Sequence, residues 1–164
     1  MPDIEARLAR LEAEADIRRL MARYMALCDE PATREPGPDF ADLFTADLVW
    51  ESASGEFPPI EGRDTLLAWF ATMRRPGAFH HALNIHFLTS ESVTVDGGEG
   101  TGAWLLLQPA VMREGAGELR MARLRIGFRQ EGGAWRIARF VSECLLKLDA
   151  PADTVGALMA MARP

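Results

Sequence analysis

Hydrophobic and polar positions in the first part of the chain follow a helical spacing. Residues 3–29 carry an apolar residue at nearly every third or fourth position, with Glu and Arg between them, which predicts one long amphipathic helix. The apolar positions of this helix are Ile4, Leu8, Leu11, Ala15, Leu20, Tyr24 and Leu27. Three prolines and a glycine within residues 31–38 break the helical pattern, so a loop is expected there.

Three shorter elements follow before the pattern changes. We predict a helical turn over residues 39–44 and a strand over residues 46–52, in which Leu48 and Trp50 point to the same face. Residues 63–75 again show apolar positions at helical spacing, and a Pro-Gly pair ends this second amphipathic helix. The first half of the chain is therefore mainly helical, with one early strand.

From about residue 79 onward the hydrophobic period changes from helical to two, as expected for strands. Strands are predicted over residues 79–87, 92–96, 102–112, 119–129 and 134–148. Glycine-containing turns separate most of them, which is typical of hairpins between antiparallel neighbours. In the fourth of these strands, hydrophobic residues occupy one face and arginines the other. Pro151 opens a short C-terminal helix that carries Val155, Leu158 and Met161.

Helices followed by a run of antiparallel strands indicate an α+β fold rather than alternating βαβ units. We expect the N-terminal helices to pack on one face of a strongly curved antiparallel sheet, forming a cone that encloses a pocket. The length of 164 residues fits a single domain spanning residues 1–164. The outer face of this sheet also carries many apolar residues, so we expect a homodimer that packs two such faces together.

Composition and charge narrow the range of partners. Hydrophobic residues make up 48% of the chain and charged residues 26%, which is typical of a globular domain. The formal net charge is −6, and an acidic chain lacks the broad basic surface that nucleic acids and anionic membranes require. No apolar run approaches the roughly 20 residues of a membrane span, and the N-terminus does not resemble a signal peptide. We therefore expect a cytoplasmic protein in which Cys28 and Cys144 are reduced thiols.

Three histidines are the side chains best suited to acid–base chemistry near neutral pH. His80, His81 and His86 fall within seven residues, a density that first suggests a metal site. Along one continuous strand, however, His80 and His86 would lie about 20 Å apart on the same face, and His81 would point the opposite way. Metal binding is therefore not expected.

A single histidine facing the interior of the cone would instead suit general acid–base catalysis, because its ordinary pKa lies near neutral pH. The alternative is a histidine that hydrogen-bonds a backbone carbonyl at the rim, and the residues alone do not decide between the two. Either His80 or His81 could face inward, because a one-residue change of register reverses the face. His86 is expected at the surface or in an interface. Asn84 either binds a ligand oxygen or ends the edge of the strand.

Five short sequence segments, in their order along the chain, resemble those of a known family. They are residues 17–24 (IRRLMARY) running on to Asp29, 40–47 (FADLFTAD) followed by Val49 and Trp50, 62–64 (GRD), 80–84 (HHALN) and 134–137 (AWRI). Together they resemble the NTF2-like superfamily, and within it the SnoaL-like proteins. The resemblance implies a cone of the kind predicted above. That fold hosts dehydratases, isomerases, cyclases, hydrolases and binding modules, so the activity has to be argued from the site.

Within this superfamily the chain is most similar to the branch of scytalone dehydratase and bile-acid dehydratase. Tyr24 and Asp29 match the Tyr and Asp that these enzymes carry near the end of the first helix, and His81 matches their His at the start of the sheet. By this resemblance His81 is the catalytic acid–base, Asp29 orients it, and Tyr24 donates a hydrogen bond to a substrate carbonyl or enolate oxygen. His80 is the alternative catalytic residue.

Two positions depart from the family pattern. A second acid–base residue of the dehydratases falls at Trp104 in this sequence, and the base of the steroid isomerases falls at Ser52. Trp104 is therefore expected to form a wall of the pocket. The other expected ligand-binding residues are Asn84, Trp50, Trp69 and Phe70, although aromatic residues of this kind more often belong to the core.

Together these residues predict a dehydratase or other lyase, or an isomerase, that needs no cofactor. Its substrate would be a small hydrophobic carbonyl compound of the polyketide, aromatic or steroid-like kind. One histidine can serve both proton steps of a syn elimination, so the tryptophan at a family acid–base position does not exclude the reaction. Two alternatives are a module that binds a hydrophobic ligand without chemistry, and the small β-type subunit of an aromatic-ring dioxygenase, whose partner would be a larger iron-containing subunit.

Overall fold

The computed structural model describes residues 3–29, 38–73, 81–112, 115–151 and 153. Within them the chain forms three helices: α1 (Ile4–Asp29), α2 (Pro38–Ala41) and α3 (Arg63–Met73). Its strands are β1 (Phe44–Ser52), β2 (Ile60–Glu61), β3 (His81–Asn84), β4 (Phe87–Asp96), β5 (Glu99–Met112), β6 (Gly117–Glu131) and β7 (Ala134–Ala150). His80 and the predicted C-terminal helix with Val155, Leu158 and Met161 lie outside the described residues.

The strands form one sheet in the order β2-β1-β7-β6-β5-β3, and β4 also pairs with β5. Paired strands are antiparallel, except that β1 runs parallel to β7. The sheet is therefore mixed rather than purely antiparallel. The long stretch of chain between β1 and β7 makes this possible, because a parallel pair needs a long connection and cannot be joined by a tight turn.

The first long strand of the predicted sheet is divided in the structure. β3 ends at Asn84 and β4 begins at Phe87, while the Ile85 N–H donates to the carbonyl of Pro109 on β5 at 3.2 Å. Pro109 has no N–H to offer in return, which accounts for the interruption of the regular ladder opposite it. The chain bends there, and β3 and β4 pair with different stretches of β5.

The helices cover one face of the sheet, called here the inner face, and the core lies between them. Inner-face side chains of the central strands include Trp104, Leu106, Leu124, Ile126, Phe128, Ile137 and Phe140. The alternation predicted for β6 is confirmed: Leu124, Ile126 and Phe128 are buried, whereas Arg123 and Arg125 are exposed on the opposite face.

Two glycines of β5 allow close packing on the inner face. A Cβ atom at Gly100 would lie 2.7 Å from Ile17 Cδ1 of α1, and one at Gly102 would lie 2.3 Å from Cη2 of Trp104. Both distances are well below the separation of about 3.5–4.0 Å at which carbon atoms pack favourably. At Gly102 the rigid indole ring of Trp104 leaves no room for a side chain, whereas at Gly100 the terminal methyl group of Ile17 would have to shift.

Only the second half of α1 lies on the sheet. Its buried residues are Ile17, Met21, Tyr24 and Met25. By contrast, Ile4, Leu8 and Leu11 are 76%, 54% and 56% exposed, although their spacing predicted a buried face. A helix of 26 residues is about 39 Å long, so α1 extends past the part of the sheet that it covers. No helix in the described parts of the chain is long and apolar enough to cross a membrane.

The outer face of the sheet, opposite the helices, carries paired charges along part of its length. Arg123 and Arg125 of β6 approach Glu143 of β7 at 2.8 and 3.6 Å. Further along β6, Arg129 pairs with Asp47 and Glu131. These arginines therefore already have carboxylate partners within the chain.

Beside the charged rows, the outer face carries a group of hydrophobic side chains. The strand register aligns Phe87 with Leu107, Met121 and Leu146 across four strands, and Leu148 lies one row further on. All of them are exposed except Leu107, which is half-buried. These five residues are called here the outer apolar patch.

Candidate active site

Asp29 and His86 form a close pair of acid–base side chains. Oδ1 of Asp29 accepts a hydrogen bond from the backbone N–H of His86 at 3.0 Å and lies 2.5 Å from its Nδ1. The side chains are partly buried, with exposed fractions of 29% for Asp29 and 13% for His86. A carboxylate at the C-terminal end of a helix is unfavourable with the helix dipole, and these two donors explain why Asp29 is tolerated there.

The pairing fixes the roles of the two imidazole nitrogens. An ionised carboxylate only accepts hydrogen bonds, so the proton shared with Asp29 is assigned to Nδ1 of His86. In the neutral imidazole, Nε2 then carries the lone pair. Nε2 has no hydrogen-bond partner among the described residues, so His86 presents a base that an adjacent carboxylate orients.

This position of His86 differs from the sequence expectation of a surface or interface residue. The expectation assumed one continuous strand through residue 87, in which side-chain faces alternate without interruption. The bend opposite Pro109 ends that alternation and turns His86 toward the last turn of α1. Two features of the sequence could have indicated the contact between His86 and Asp29. Asp29 needs a hydrogen-bond donor at the end of its helix, and a proline occurs in the partner strand.

Asn84 and Gln108 connect the same region to α1. The Asn84 side chain donates to the carbonyl oxygen of Cys28 at 3.3 Å and accepts from Nε2 of Gln108 at 2.8 Å. Asn84 therefore satisfies a carbonyl of the last helical turn, where the helix itself provides no donor. Binding of a ligand oxygen by Asn84 stays a prediction, and Gln108 was not anticipated from the sequence.

His81 lies at the start of β3, where it pairs with Met112 of β5. Directly paired residues of antiparallel strands lie on the same side of the sheet, and Met112 is two residues beyond Ala110, the partner of Asn84. The register thus places half-buried His81 on the inner-face side of the sheet. In the structure Asp29 contacts His86, so the predicted orientation of His81 by Asp29 stays a prediction.

Tyr24 is buried in an aromatic cluster on the inner face. Its ring centroid lies 6.0, 5.8 and 5.5 Å from those of Phe40, Phe44 and Phe140. Burial, and secondarily the neighbouring Cys28 thiol, raise the pKa of the Tyr24 hydroxyl well above its ordinary value. The hydroxyl therefore stays protonated and can only act as a neutral donor or acceptor. No hydrogen bond within the described residues joins it to the Asp29–His86 pair.

Trp104 is held in place by a charged pair outside the sheet ladder. Its indole N–H donates to Oε2 of Glu91 at 3.2 Å, and Nε of Arg18 donates to Oε1 at 2.5 Å. Glu91 reaches inward from a bulge in β4, where Ser90 has a positive φ of 54°. With 3% of its surface exposed, Trp104 packs as a core residue with a satisfied N–H. Its predicted role as a pocket wall stays a prediction.

Trp50 is the centre of a second aromatic cluster. Its ring contacts Phe57, Trp69, Phe70 and Phe140, with centroid distances of 5.6, 5.0, 5.1 and 5.5 Å. The structure thus brings together three of the four aromatic residues predicted to bind a ligand, Trp50, Trp69 and Phe70, and their binding role stays a prediction. Phe57, on the loop between β1 and β2, belongs to the same cluster and was not anticipated.

No group of three His, Cys, Asp or Glu side chains in the described regions is placed to hold a metal ion. The chemistry that these residues offer is proton transfer, from the oriented imidazole of His86, beside an inner face rich in aromatic side chains.

Comparison with known proteins supports this fold. Residues 9–141 match the SnoaL-like domain family, whereas no curated protein matches the chain. A structure from Novosphingobium aromaticivorans, provisionally named an aromatic ring hydroxylase, shares 19% identity and a TM-score of 0.72 over 88% of this chain and 97% of that one. A type 2 hexachlorocyclohexane dehydrochlorinase, LinA, shares 17% identity and a TM-score of 0.71 over 86% and 90% of the two chains.

A third structure, provisionally named a scytalone dehydratase and also from Novosphingobium aromaticivorans, shares 17% identity and a TM-score of 0.70 over 86% of this chain and 89% of that one. Identities this low show a shared fold, which is the NTF2-like, cystatin-like α+β cone predicted from the sequence. The family match extends over most of the chain, and the protein therefore belongs to the SnoaL-like domain family.

Proposed function

We propose that this protein is a cofactor-independent lyase that eliminates water from a small hydrophobic carbonyl compound, with His86 as the acid–base residue and Asp29 as its positioning residue. The observation that carries the proposal is the 2.5 Å contact between Asp29 Oδ1 and His86 Nδ1. It leaves Nε2 of a partly buried imidazole as a base of defined orientation. His81, the residue that the family resemblance suggests, is the alternative for the same role.

The reaction needs one base that can return the proton it takes. Nε2 of His86 removes a proton from the carbon next to the substrate carbonyl, and the electrons of that C–H bond form the new C=C bond. The bond from the neighbouring carbon to its hydroxyl group breaks at the same time or afterwards. The departing hydroxide takes the proton back from the imidazolium and leaves as water, which regenerates His86. Asp29 stabilises the imidazolium between these two steps.

Two neighbours in structure support a reaction of the elimination class. One is named for a dehydrochlorinase activity and one provisionally for a dehydratase activity, and both names describe loss of a small group together with a proton. The buried aromatic residues of the inner face favour a hydrophobic substrate. Isomerisation of a related carbonyl compound would use the same base, with the proton returned to a different carbon.

The test is steady-state turnover of aryl β-hydroxy ketones, such as the aldol adduct of benzaldehyde and acetone, whose dehydration forms a conjugated enone. We expect His86→Ala to lower kcat/KM by about 10²–10⁴-fold, the usual contribution of a general base. His81→Ala is the matched control and should retain most of the activity. Full activity of His86→Ala would contradict the proposal, and loss of activity only in His81→Ala would transfer the role to His81.

A second function, binding without chemistry, is favoured by Trp104. The residue at a family acid–base position is here a core tryptophan whose N–H already binds Glu91. Native mass spectrometry distinguishes the two functions, because a binding module would retain a hydrophobic ligand unchanged and would still bind it in His86→Ala. The dioxygenase-subunit alternative requires a larger iron-containing subunit to copurify with the chain.

We also propose that two copies of the chain associate through the outer apolar patch. Its side chains lie in register across four strands, which gives a continuous hydrophobic surface of the kind that self-complementary interfaces use. The neighbouring arginines and glutamates would form the polar rim of the interface.

A further inference from the structure

The indole N–H of Trp50 is a buried donor that no group in the described part of the chain satisfies. Trp50 has 8% of its surface exposed, and its Nε1 atom makes no hydrogen bond to any of the described residues. Buried polar groups nearly always have partners, so an unsatisfied one calls for an explanation. Trp104 shows the usual situation, since its N–H binds Glu91.

The aromatic side chains that contact Trp50 supply no conventional hydrogen-bond acceptor. Its ring neighbours are Phe57, Trp69, Phe70 and Phe140, whose side chains carry hydrocarbon or indole surfaces. Phe70 stacks on it at 15°, whereas Trp69 meets it edge-on at 89°. The donor therefore lies among aromatic faces that would bind a flat hydrophobic molecule well.

One side of the cluster lies near the protein surface. Phe57 is on the loop between β1 and β2, and Trp69 and Phe70 are on α3, and all three are partly exposed. On the other side of Trp50, the rings of Phe140 and Tyr24 continue along the inner face at successive distances of 5.5 Å. This row leads toward the last turn of α1, where Asp29 is located.

We infer that Trp50 is a specificity-determining residue, whose indole N–H binds the acceptor oxygen of a planar conjugated substrate held by Phe57, Trp69 and Phe70. The inference rests on the proposed function and narrows its substrate class to aromatic ketones. The acceptor is uncharged, because an anion placed among these rings would lose its hydration without gaining a counter-charge. An aliphatic substrate of the same size would lack the stacking contacts.

The experiment compares two probes of nearly the same shape, α-tetralone and tetralin, which differ in the ketone group. Binding is measured in the His86→Ala background, so that no turnover interferes. We expect α-tetralone to bind about 10-fold more tightly than tetralin, because only the ketone accepts a hydrogen bond from Trp50. Trp50→Phe keeps an aromatic ring but removes the N–H, so it should abolish this difference and leave the affinity for tetralin nearly unchanged.

Trp135→Phe is the matched control, because Trp135 lies on the inner face beside Gly100, away from the Trp50 cluster. This variant should keep the preference for α-tetralone. An equal preference in Trp50→Phe and in the parent protein would overturn the inference, as would failure of α-tetralone to bind up to its solubility limit.

A spectroscopic measurement keeps the test valid even if Trp50→Phe is unstable. The chain has four tryptophans, and the ¹H–¹⁵N spectrum resolves their indole N–H groups. We expect α-tetralone, but not tetralin, to move the Trp50 indole proton downfield as the hydrogen bond forms. An unmoved Trp50 resonance on addition of α-tetralone would overturn the inference. Neither measurement depends on turnover, so failure of the lyase proposal would show in the kinetics of His86→Ala alone.

Discussion

One oxygen atom of Asp29 accepts a hydrogen bond from the backbone N–H of His86 and also contacts Nδ1 of its imidazole ring. The same carboxylate therefore holds the chain bend between β3 and β4 and selects the imidazole tautomer. Two donors on one acceptor leave the ring little freedom to rotate, which is the condition for a base of fixed direction. The consequence is that Asp29 and His86 should behave as a single unit in any measurement of activity.

This coupling can be tested by a double-mutant cycle. We expect Asp29→Asn to reduce kcat/KM. The neutral side-chain amide of the asparagine cannot stabilise the imidazolium as the carboxylate does, and its NH₂ group can donate a hydrogen bond to Nδ1. We also expect the double variant Asp29→Asn/His86→Ala to be no slower than His86→Ala alone, since Asp29 acts only through His86. Additive losses would show that Asp29 contributes independently.

The close packing at Gly102 provides a prediction about stability. A Cβ atom there would lie 2.3 Å from the Trp104 ring, and the ring is fixed by its bond to Glu91. We expect Gly102→Ala to lower the free energy of unfolding by about 1–3 kcal/mol, as measured by urea denaturation. The matched control is Gly98→Ala, because the nearest atom to a Cβ at Gly98 is 4.0 Å away. A similar effect of both substitutions would contradict the packing argument.

Tyr24 is the only tyrosine in the chain, so phenolate absorbance in the near ultraviolet reports on it alone. Its pKa is raised by burial, which means that the folded protein favours the protonated hydroxyl. The stabilisation from Tyr24 should therefore be complete below pH about 10, the ordinary pKa, and be lost as the pH rises further.

We expect no phenolate signal at pH about 10–11 while the protein stays folded, and normal titration in denaturant. Tyr24→Phe should lack the alkaline loss of stability that ionisation of this hydroxyl causes. A phenolate signal near pH 10 in folded protein would show that Tyr24 is accessible to solvent.

The outer apolar patch leads to a prediction about assembly. We expect the wild-type chain to have the mass of two chains by light scattering, and Leu146→Glu to have the mass of one, because the charge would be buried in the interface. Leu8→Glu is the matched control, since Leu8 is exposed on α1 and lies outside the patch. A monomeric wild-type protein, or a Leu146→Glu variant that stays dimeric, would contradict the proposed interface.

Much of this fold could be predicted because its signals are local. The alternation in β6 comes directly from the pleat of a strand, so burial of Leu124 and Ile126 could be read from their spacing. The need for a partner at Asp29 likewise follows from its position at a helix end. Both predictions depend only on residues that are close together in the sequence, namely the alternation along one strand and the end of one helix.

The site was harder to predict because its contacts are between distant parts of the chain. His86 reaches Asp29 only because the ladder opposite Pro109 is interrupted, and strand alternation along one segment contains no information about the partner strand. Glu91 reaches Trp104 for a similar reason, through a bulge that no sequence pattern marked. In the N-terminal half of α1, the helix was predicted correctly but the burial of its apolar face was not, because the helical pattern does not indicate how far the sheet extends.

The uneven coverage of α1 by the sheet divides the helix into two segments of different local stability. The turns that carry Ile4 and Leu8 have little tertiary contact to oppose fraying, whereas Ile17 and Met21 are locked against the core. Amide hydrogen exchange should therefore be fast in the first segment and limited by global unfolding in the second. Because Asp29 belongs to the slow segment, thermal opening of the N-terminal turns would leave the His86 base undisturbed.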